Sequence, residues 1–291
     1  MNERISTPLK TKEIIEKNKF SFKKNFGQNF LVDSNIIDNI IKAADIDKDD
    51  FILEIGPGIG SLTQALAENA KKVAAVEIDR NLIPILEETV GGYENVEIIN
   101  KDILKLDINA LVCEKNGGMP IKVVANLPYY ITTPIIMEIL EKNVNAKSIT
   151  VMVQKEVAER MQAEAGTKDY GALTVAVKFY SDAKIDFIVP PNCFMPRPNV
   201  DSAVITLNIS EKNRPQTIDE TFFFRVVKCA FGQRRKTLIN TLYNTGNFGI
   251  SKNEIQNAVE AAGLSAKVRG EALSTEDFAR LSDILYKKIY G

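Results

Sequence analysis

Apolar residues follow two different periods along most of this chain. Short runs in which nearly every residue is apolar predict strands buried on both faces, whereas apolar residues three and four positions apart predict amphipathic helices. The strands are predicted at residues 51–55, 73–77, 96–100, 121–126 and 148–154, and the helices between them at residues 61–70, 81–90, 133–143 and 155–163. Because strand, turn and helix recur in this order, the pattern predicts an α/β fold with a doubly wound, mostly parallel sheet.

The pattern changes towards the end of the chain. Apolar runs at 184–190 and 202–209 predict a pair of strands at the sheet edge, and the polar segment 210–217 predicts a linker. After the linker only helical patterns occur, at residues 218–231, 234–244, 252–263 and 275–289. We therefore predict three parts: an arm with seven Lys/Arg and three Glu (residues 1–31), an α/β domain (32–213) and a small helical domain (214–291).

Composition excludes several classes of function. The net charge of −1 excludes a uniformly basic nucleic-acid coat but permits a local basic face. The absence of His excludes Ser-His-Asp and Cys-His nucleophile systems and His-ligated metals. Three widely spaced Cys suggest neither a disulfide framework nor a metal site. The lack of His and the wide spacing of Cys predict that no metal is bound. Since there is no apolar run of about 18 residues and no signal-peptide pattern, we expect a cytoplasmic protein without a membrane partner.

A glycine-rich turn and two carboxylates mark one edge of the predicted sheet. The segment LEIGPGIGSLT (53–63) leads from a strand through Gly56 and Gly58 into a helix. Glu77 ends the next strand, 21 residues after Gly56, and Asp102 follows the third. At this edge a carboxylate can accept hydrogen bonds from ribose hydroxyls or an adenine amino group. The structural alternative is that each acid caps a helix or is a solvated loop charge. At this point an NAD enzyme and an S-adenosylmethionine enzyme both remain open.

The tetrapeptide Asn126-Leu127-Pro128-Tyr129 follows the fourth strand. Pro128 rigidifies the turn, so that the side-chain carbonyl of Asn126 and the main-chain carbonyl of Leu127 can converge on one amino group. Tyr129 offers a face on which a planar base stacks. Accepting both hydrogens of an exocyclic amine directs its lone pair towards an incoming methyl group, and no strong base is needed. The structural alternative is a plain strand-to-helix turn with a buried Tyr.

These motifs together resemble the ribosomal RNA adenine N6-dimethyltransferase family. The resemblance rests on EIGPGIG and NLPY, on NFGQNFL (25–31) and on two later segments, PPNCFMPRPNVDSAV (190–204) and AFGQRRKTLINTL (230–242), so it covers nearly the whole chain. It implies a class I methyltransferase fold, with a Rossmann-like, mostly parallel seven-stranded sheet, and S-adenosylmethionine as the methyl donor. By motif position, the implied cofactor-binding residues are Asn29, Leu31, Gly56, Gly58, Glu77, Asp102 and Asn126.

The resemblance also implies catalytic and base-stacking residues, and the charge pattern predicts RNA contacts. The catalytic residues are those of the tetrapeptide, and Phe194 is expected to sandwich a flipped adenine against Tyr129. The basic run between residues 225 and 240 is predicted to place positive charge on one helix face for phosphate contacts. Its predicted RNA contacts are Arg234, Arg235 and Lys236. The implied partner is 16S rRNA within the small ribosomal subunit, bound by a monomeric enzyme.

Three alternatives stay open on the sequence. A 23S rRNA adenine methyltransferase of the macrolide-resistance type belongs to the same family, but such enzymes are typically basic and the arm and C-terminal motifs favour the small-subunit type. A ribosome-assembly factor acting mainly by binding is the second alternative, against which the intact Asn126 and Tyr129 argue. An NAD oxidoreductase is the third, and the GxGxG spacing and the NLPY motif count against it.

Overall fold

The computed structural model describes residues 3–23, 27–211 and 214–291. The chain forms two compact units, the first comprising residues 1–158 and 183–209 and the second residues 159–182 and 210–291. The second unit therefore includes a stretch that the sequence assigned to the α/β domain. The reason is a helix at Ala172–Tyr180 that is buried almost all round, so its sequence shows no helical period. Its Phe179 stacks on Phe223 of the same unit with ring centroids 4.7 Å apart.

Seven strands form the main sheet of the described residues, in the order β4-β3-β2-β5-β6-β9-β7. The first five in this order are parallel, as the pattern predicts, and the structure adds that β9 runs antiparallel to β6. The strands are β1 (Phe30–Leu31), β2 (Phe51–Ile55), β3 (Lys72–Glu77), β4 (Val96–Asn100), β5 (Ile121–Asn126), β6 (Ala146–Gln154), β7 (Ser181–Val189), β8 (Phe194–Met195) and β9 (Ser202–Ile209). The short strands β1 and β8 pair with each other in a separate two-stranded sheet.

The helices agree with the predicted positions except at four places. They are α1 (Pro8–Lys17), α2 (Ser34–Ala43), α3 (Ser61–Asn69), α4 (Ile83–Val90), α5 (Ile108–Asn116), α6 (Thr132–Glu141), α7 (Lys155–Met161), α8 (Ala172–Tyr180), α9 (Glu220–Ala230), α10 (Leu238–Thr245), α11 (Lys252–Ala261) and α12 (Thr275–Tyr290). Helices α1, α5 and α8 were not predicted, whereas Ile36, Ile37, Ile40 and Ile41 recur with the helical spacing that predicts α2. Helix α10 starts four residues later than predicted, because residues 231–236 form turns.

Apolar burial on both sides of the sheet explains why the strands lack polar alternation. Ile52 and Val124 are fully buried in one cluster with Ile37 of α2 and Leu66 of α3. A second cluster joins Ile14 of α1 to Phe30, Ile59 and Leu86. The arm is therefore partly helical and packs on the α/β unit through α1. No helix in the described ranges has the length and apolar character needed to cross a membrane.

An ion pair holds the edge of the sheet at which β2 and β5 begin. Lys122 Nζ lies 2.8 Å from Asp50 Oδ2, and both side chains are almost fully buried. Lys122 also donates to the carbonyl of Asp45, and the Asp47 N–H donates to Asp50 at 2.9 Å. Removing one partner of such a pair leaves the other charge buried and incompletely compensated.

We expect Lys122→Met to lower the free energy of unfolding by about 3 kcal/mol, measured by urea denaturation. The matched control is Lys142→Met, which breaks an exposed pair with Glu138 on α6 and is expected to cost about 0.5 kcal/mol. Equal losses in the two variants would contradict the proposed importance of the buried pair.

Candidate active site

One cavity lies at the edge where β2, β3, β4 and β5 end. Its lining comes from the loops that follow these strands and from the segment around β1. It includes every predicted cofactor and tetrapeptide residue: Asn29, Leu31, Gly56, Gly58, Glu77, Asp102, Asn126, Leu127, Pro128 and Tyr129. The structure therefore brings together residues that are up to 100 positions apart in the sequence.

The glycine turn has a backbone that other residues rarely adopt. Gly56 and Gly58 have φ of +70° and +63°, in the left-handed region that favours glycine. A Cβ on Gly58 would lie 3.1 Å from the Phe30 ring, whereas a Cβ on Gly56 would meet only the Asn126 carbonyl, at 4.0 Å. The backbone at Gly56 is thus open to the cavity, and Gly58 permits β1 to approach closely.

The two predicted carboxylates differ in their surroundings. Glu77 is buried, and its two oxygens accept from the N–H groups of Asp79 (2.8 Å) and Gly58 (3.3 Å). Burial raises the pKa of Glu77 in spite of these bonds. Asp102 accepts from the Leu104 N–H at 3.1 Å and so caps the short turn that follows β4. Asp102 therefore has the capping role that the sequence left open as an alternative. Asp102 also lines the cavity.

The tetrapeptide is fixed at several points. The Asn126 side chain donates to the Asn29 carbonyl at 3.1 Å, which leaves its amide oxygen as an acceptor. The Leu127 N–H bonds to the Met152 carbonyl of β6 at 3.2 Å. The Tyr129 hydroxyl lies 2.7 Å from the Ser202 hydroxyl of β9, and burial raises the pKa of Tyr129. Neighbouring strands therefore determine the position of both the amide and the aromatic ring.

Phe194 lies beside the cavity and outside its lining. It pairs with Leu31 between β8 and β1, and its side chain is 5% exposed within the core. Its predicted stacking against a base stays a prediction.

The basic run does not form the predicted helix face. Arg225 donates to the carbonyls of Gly246 and Asn247 and lies over the Phe248 ring, so it stabilises the fold of its unit. Arg234 donates to the Lys168 carbonyl at 2.6 Å and lies 3.4 Å from Glu271. The prediction that the basic residues between 225 and 240 share one helix face was wrong, because α9 ends at Ala230 and a turn follows. Within that turn Arg235 and Lys236 are exposed.

Glu54 is a cavity residue that the sequence reasoning missed. It is 1% exposed, and its Oε2 has no hydrogen-bond partner among the described residues. Burial raises the pKa of Glu54 to about 8, and the nearby charge of Glu77 adds to the effect. The signal was present in the sequence, because Glu54 is the one acid in the apolar strand FILEI.

The cavity thus offers hydrogen-bond acceptors along its length. Glu54 lies in β2 just before the glycine turn, Glu77 and Asn126 end β3 and β5, and Asp102 follows β4. Across the described parts of the chain, no group of three or more His, Cys, Asp or Glu side chains is arranged to hold a metal ion. The absence of a bound metal stays a prediction.

Residues 19–287 match the family model for ribosomal RNA adenine dimethylase. The chain belongs to that family. It is 56% identical over 286 residues to ribosomal RNA small subunit methyltransferase A of Lachnoclostridium phytofermentans, covering 98% of this chain and 99% of that protein. The protein of the same name from Clostridioides difficile is 51% identical over 287 residues, covering 99% of each.

Two solved structures share the fold over most of the chain. A dimethyladenosine transferase from Plasmodium falciparum is 27% identical, with a TM-score of 0.69 over 87% of this chain and 95% of that one. The 23S rRNA methyltransferase ErmE is also 27% identical, with a TM-score of 0.64 over 88% of this chain and 99% of that one. The predicted family and methyltransferase fold are confirmed, and family membership excludes the NAD oxidoreductase.

The buried Glu54 predicts an unusual dependence of stability on pH. Between about pH 5 and pH 8 the unfolded chain loses the Glu54 proton while the folded protein keeps it, so stability falls as pH rises through this window. The fall is on the order of 1 kcal/mol per pH unit. We expect Glu54→Gln to remove this fall, measured by urea denaturation of the ligand-free protein from pH 5 to pH 8.

The control for this measurement is Glu87→Gln, which changes an exposed carboxylate on α4. This variant should follow the wild-type pH dependence. If the free energy of unfolding changed with pH in the same way in the wild type and in Glu54→Gln, burial of Glu54 would not govern the pH dependence of stability.

Proposed function

We propose that this protein transfers methyl groups from S-adenosylmethionine to the N6 amino groups of two adjacent adenines in 16S rRNA, giving N6,N6-dimethyladenosine. The observation that carries the proposal is that the Asn126–Tyr129 loop lines the same cavity as Glu77 and Asp102. Acceptors suited to an exocyclic amine therefore lie next to acceptors suited to a nucleoside. Relatives at 51–56% identity over nearly the full chain, named ribosomal RNA small subunit methyltransferase A, support the small-subunit rRNA as substrate.

The residues of the cavity fit S-adenosylmethionine. The unpartnered Oε2 of Glu54 suits its amino group, and the open backbone at Gly56 suits the methionine chain. The Glu77 carboxylate would accept from the ribose hydroxyls and Asp102 from the adenine amino group, while Gly58, Asn29 and Leu31 complete the wall. When bound, the cofactor supplies a methyl group on a positively charged sulfur.

The tetrapeptide would orient the target amine. The Asn126 side-chain oxygen and the Leu127 carbonyl accept its two N–H groups, so that the nitrogen lone pair points towards the methyl group. The aminium formed by transfer is a strong acid and loses its proton without a strong base, which agrees with the absence of His. Pro128 keeps the turn rigid for this task.

An adenine reaches the cavity only after it has flipped out of its RNA stack, at a cost of a few kcal/mol. Stacking on an aromatic ring contributes about 1–3 kcal/mol per base. The Tyr129 ring, held by Ser202, would provide this contribution, and Phe194 would provide a second face if its side chain moved out of the core.

The second unit would bind the rRNA. Its exposed Arg235 and Lys236 suit phosphate contacts, whereas Arg234 shares its charge with Glu271. Because the net charge is near zero, we infer that the partner is a preassembled small subunit rather than free RNA, bound in the cytoplasm by a monomer.

A 23S rRNA substrate is the second candidate, favoured by the likeness to ErmE. The deciding experiment adds labelled S-adenosylmethionine to unmethylated small subunits, large subunits and naked RNA in parallel. Dimethyladenosine only in small-subunit RNA supports the proposal, and label in large-subunit RNA supports the second candidate. Binding without transfer would favour an assembly factor.

We expect Asn126→Ala to reduce methyl transfer by about a hundredfold or more, because the target amine loses one of its two acceptors. The measurement is the initial rate of label incorporation, with circular dichroism to check folding. The control is Asn145→Ala, which removes an amide that bonds to the Gly118 carbonyl, away from the cavity lining. Full activity of Asn126→Ala would refute the role of the tetrapeptide.

The exposed basic turn leads to a separate expectation. The double variant Arg235→Glu, Lys236→Glu should weaken binding to small subunits by about tenfold or more and leave cofactor affinity unchanged. Sedimentation with subunits and calorimetry with S-adenosylhomocysteine measure the two affinities. A charge-matched control, Lys252→Glu with Lys287→Glu, changes exposed cations on α11 and α12. If both double variants lost binding equally, net charge rather than the turn would be responsible.

A further inference from the structure

Asp79 is a buried carboxylate at the end of β3 for which the proposed function gives no role. Its side chain is 2% exposed, and it accepts from Lys23 Nζ at 2.9 Å, from Gln28 Nε2 at 3.0 Å and from the Asn81 N–H at 3.1 Å. Burial alone would raise the pKa of Asp79, but the bonds from Lys23, Asn81 and Gln28 hold it below its usual range. Asp79 is therefore a charged, fully paired group.

Two of its partners belong to the arm. The Lys23 N–H also donates to Gln28 Oε1 at 2.9 Å, so Lys23, Gln28 and Asp79 form one closed hydrogen-bonded group. From Gln28 the chain continues through Asn29 to Leu31, which line the cavity. Asp79 thus lies where the arm begins to contribute to the cavity wall.

The two neighbours of Gln28 contact the loop after β5. The Asn29 carbonyl accepts from Asn126, and a Cβ on Gly27 would come within 3.3 Å of the Tyr130 ring. Residues 27–29 therefore bridge the sheet edge between Asp79, which follows β3, and the loop after β5. They lead directly into β1, which pairs with β8.

Asp79 also contacts the predicted ribose-binding residue, but through its backbone. The Asp79 N–H donates to Glu77 Oε1 at 2.8 Å. A substitution by Asn changes the side chain and keeps this N–H. The contribution of Asp79 to the arm can therefore be separated from its contribution to Glu77.

The arm has further ion pairs to the α/β unit, and they provide a comparison. Arg4 pairs with Asp38 of α2, and Lys17 pairs with Glu88 of α4, both at 2.6 Å. These side chains are 38–63% exposed, and none of them lines the cavity. Within the described residues, the pair of Lys23 with Asp79 combines a buried carboxylate with a position next to the cavity wall.

We propose that Asp79 is a positioning residue for cofactor binding, which acts by holding Lys23 and Gln28 so that residues 27–31 stay in place across the cavity. The inference rests on the proposed function, since it takes the cavity to be the S-adenosylmethionine site. In the absence of the Asp79 charge, residues 27–29 lose their contact with the end of β3 while β1 keeps its pairing with β8, and the cofactor must order these residues on binding.

The test compares Asp79→Asn with Asp38→Asn, which removes one of the two exposed ion pairs of the arm. Calorimetry with S-adenosylhomocysteine should show Kd raised about tenfold for Asp79→Asn and changed by less than about twofold for Asp38→Asn. With small subunits as substrate, Asp79→Asn should raise KM for S-adenosylmethionine while kcat at saturation changes by less than about twofold. A purely structural defect would lower kcat as well.

Hydrogen exchange in the ligand-free protein provides a readout that does not depend on the cofactor. The amides of residues 27–31 should exchange faster in Asp79→Asn than in the wild type, and the sheet amides of β2 and β5 should not. Unchanged exchange in residues 27–31 would overturn the inference. If the wild type did not bind S-adenosylhomocysteine, the proposed cofactor would be wrong, and the exchange experiment would still decide the role of Asp79 as an anchor.

Lys23 provides a second variant in case Asp79→Asn folds poorly. Lys23→Met removes the cation from a half-exposed position, and we expect it to raise the Kd and the exchange rates in the same direction by a smaller factor. Lys23→Arg keeps the charge, so its Kd for S-adenosylhomocysteine and its exchange rates should be close to those of the wild type. If Lys23→Met matched the wild type in both measurements, Lys23 would not be an anchor and the inference would fail.

Discussion

The parallel register of three strands is the constraint on which the rest of this structure depends. Ile55 of β2 lies opposite Val76 of β3 and opposite Ala125 of β5, so the three strands end at the same level. Gly56, Glu77 and Asn126 follow these positions directly and therefore meet at one edge. The strand order reverses between β2 and β5, so the chain leaves these two strands in opposite directions and a crevice opens between their loops, where parallel sheets bind ligands.

Burial of acidic groups at this edge has two different outcomes. Glu54 and Asp79 are both almost fully buried, yet the pKa of Glu54 is raised to about 8 while that of Asp79 is lowered. The difference lies in their partners, because Asp79 faces Lys23 and Gln28 whereas one oxygen of Glu54 has no donor among the described residues. A buried acid stays charged when the fold supplies donors and stays protonated when it does not. The paired acid holds protein segments together, and the unpaired one is available to a ligand.

The arm and the helical unit show that positive charge serves several purposes. Lys23 pairs with a buried carboxylate, Arg225 satisfies backbone carbonyls, and Arg234 divides its donors between a carbonyl and Glu271. Each of these cations belongs to a segment that appears basic in the sequence. Arg235 and Lys236, exposed in the same turn, remain accessible to a polyanion. A local surplus of charge therefore overstates the surface that can bind RNA.

The sequence by itself determined the sheet, the edge at which the cavity lies and the family. Strands buried on both faces have continuous apolar runs, and residues at or just beyond the ends of these runs meet at one edge because the strands are parallel. The sequence therefore predicted that Gly56, Glu77, Asp102 and Asn126 lie together. Only the tertiary structure decided the place of α8, the structural role of Arg225, and the contacts of Glu54 and Asp79. Each of these depends on partners far away in the chain: α8 packs on α9, and Asp79 pairs with a lysine 56 residues before it. A local pattern carries no information about such partners, because burial and pairing are properties of the folded chain rather than of the segment.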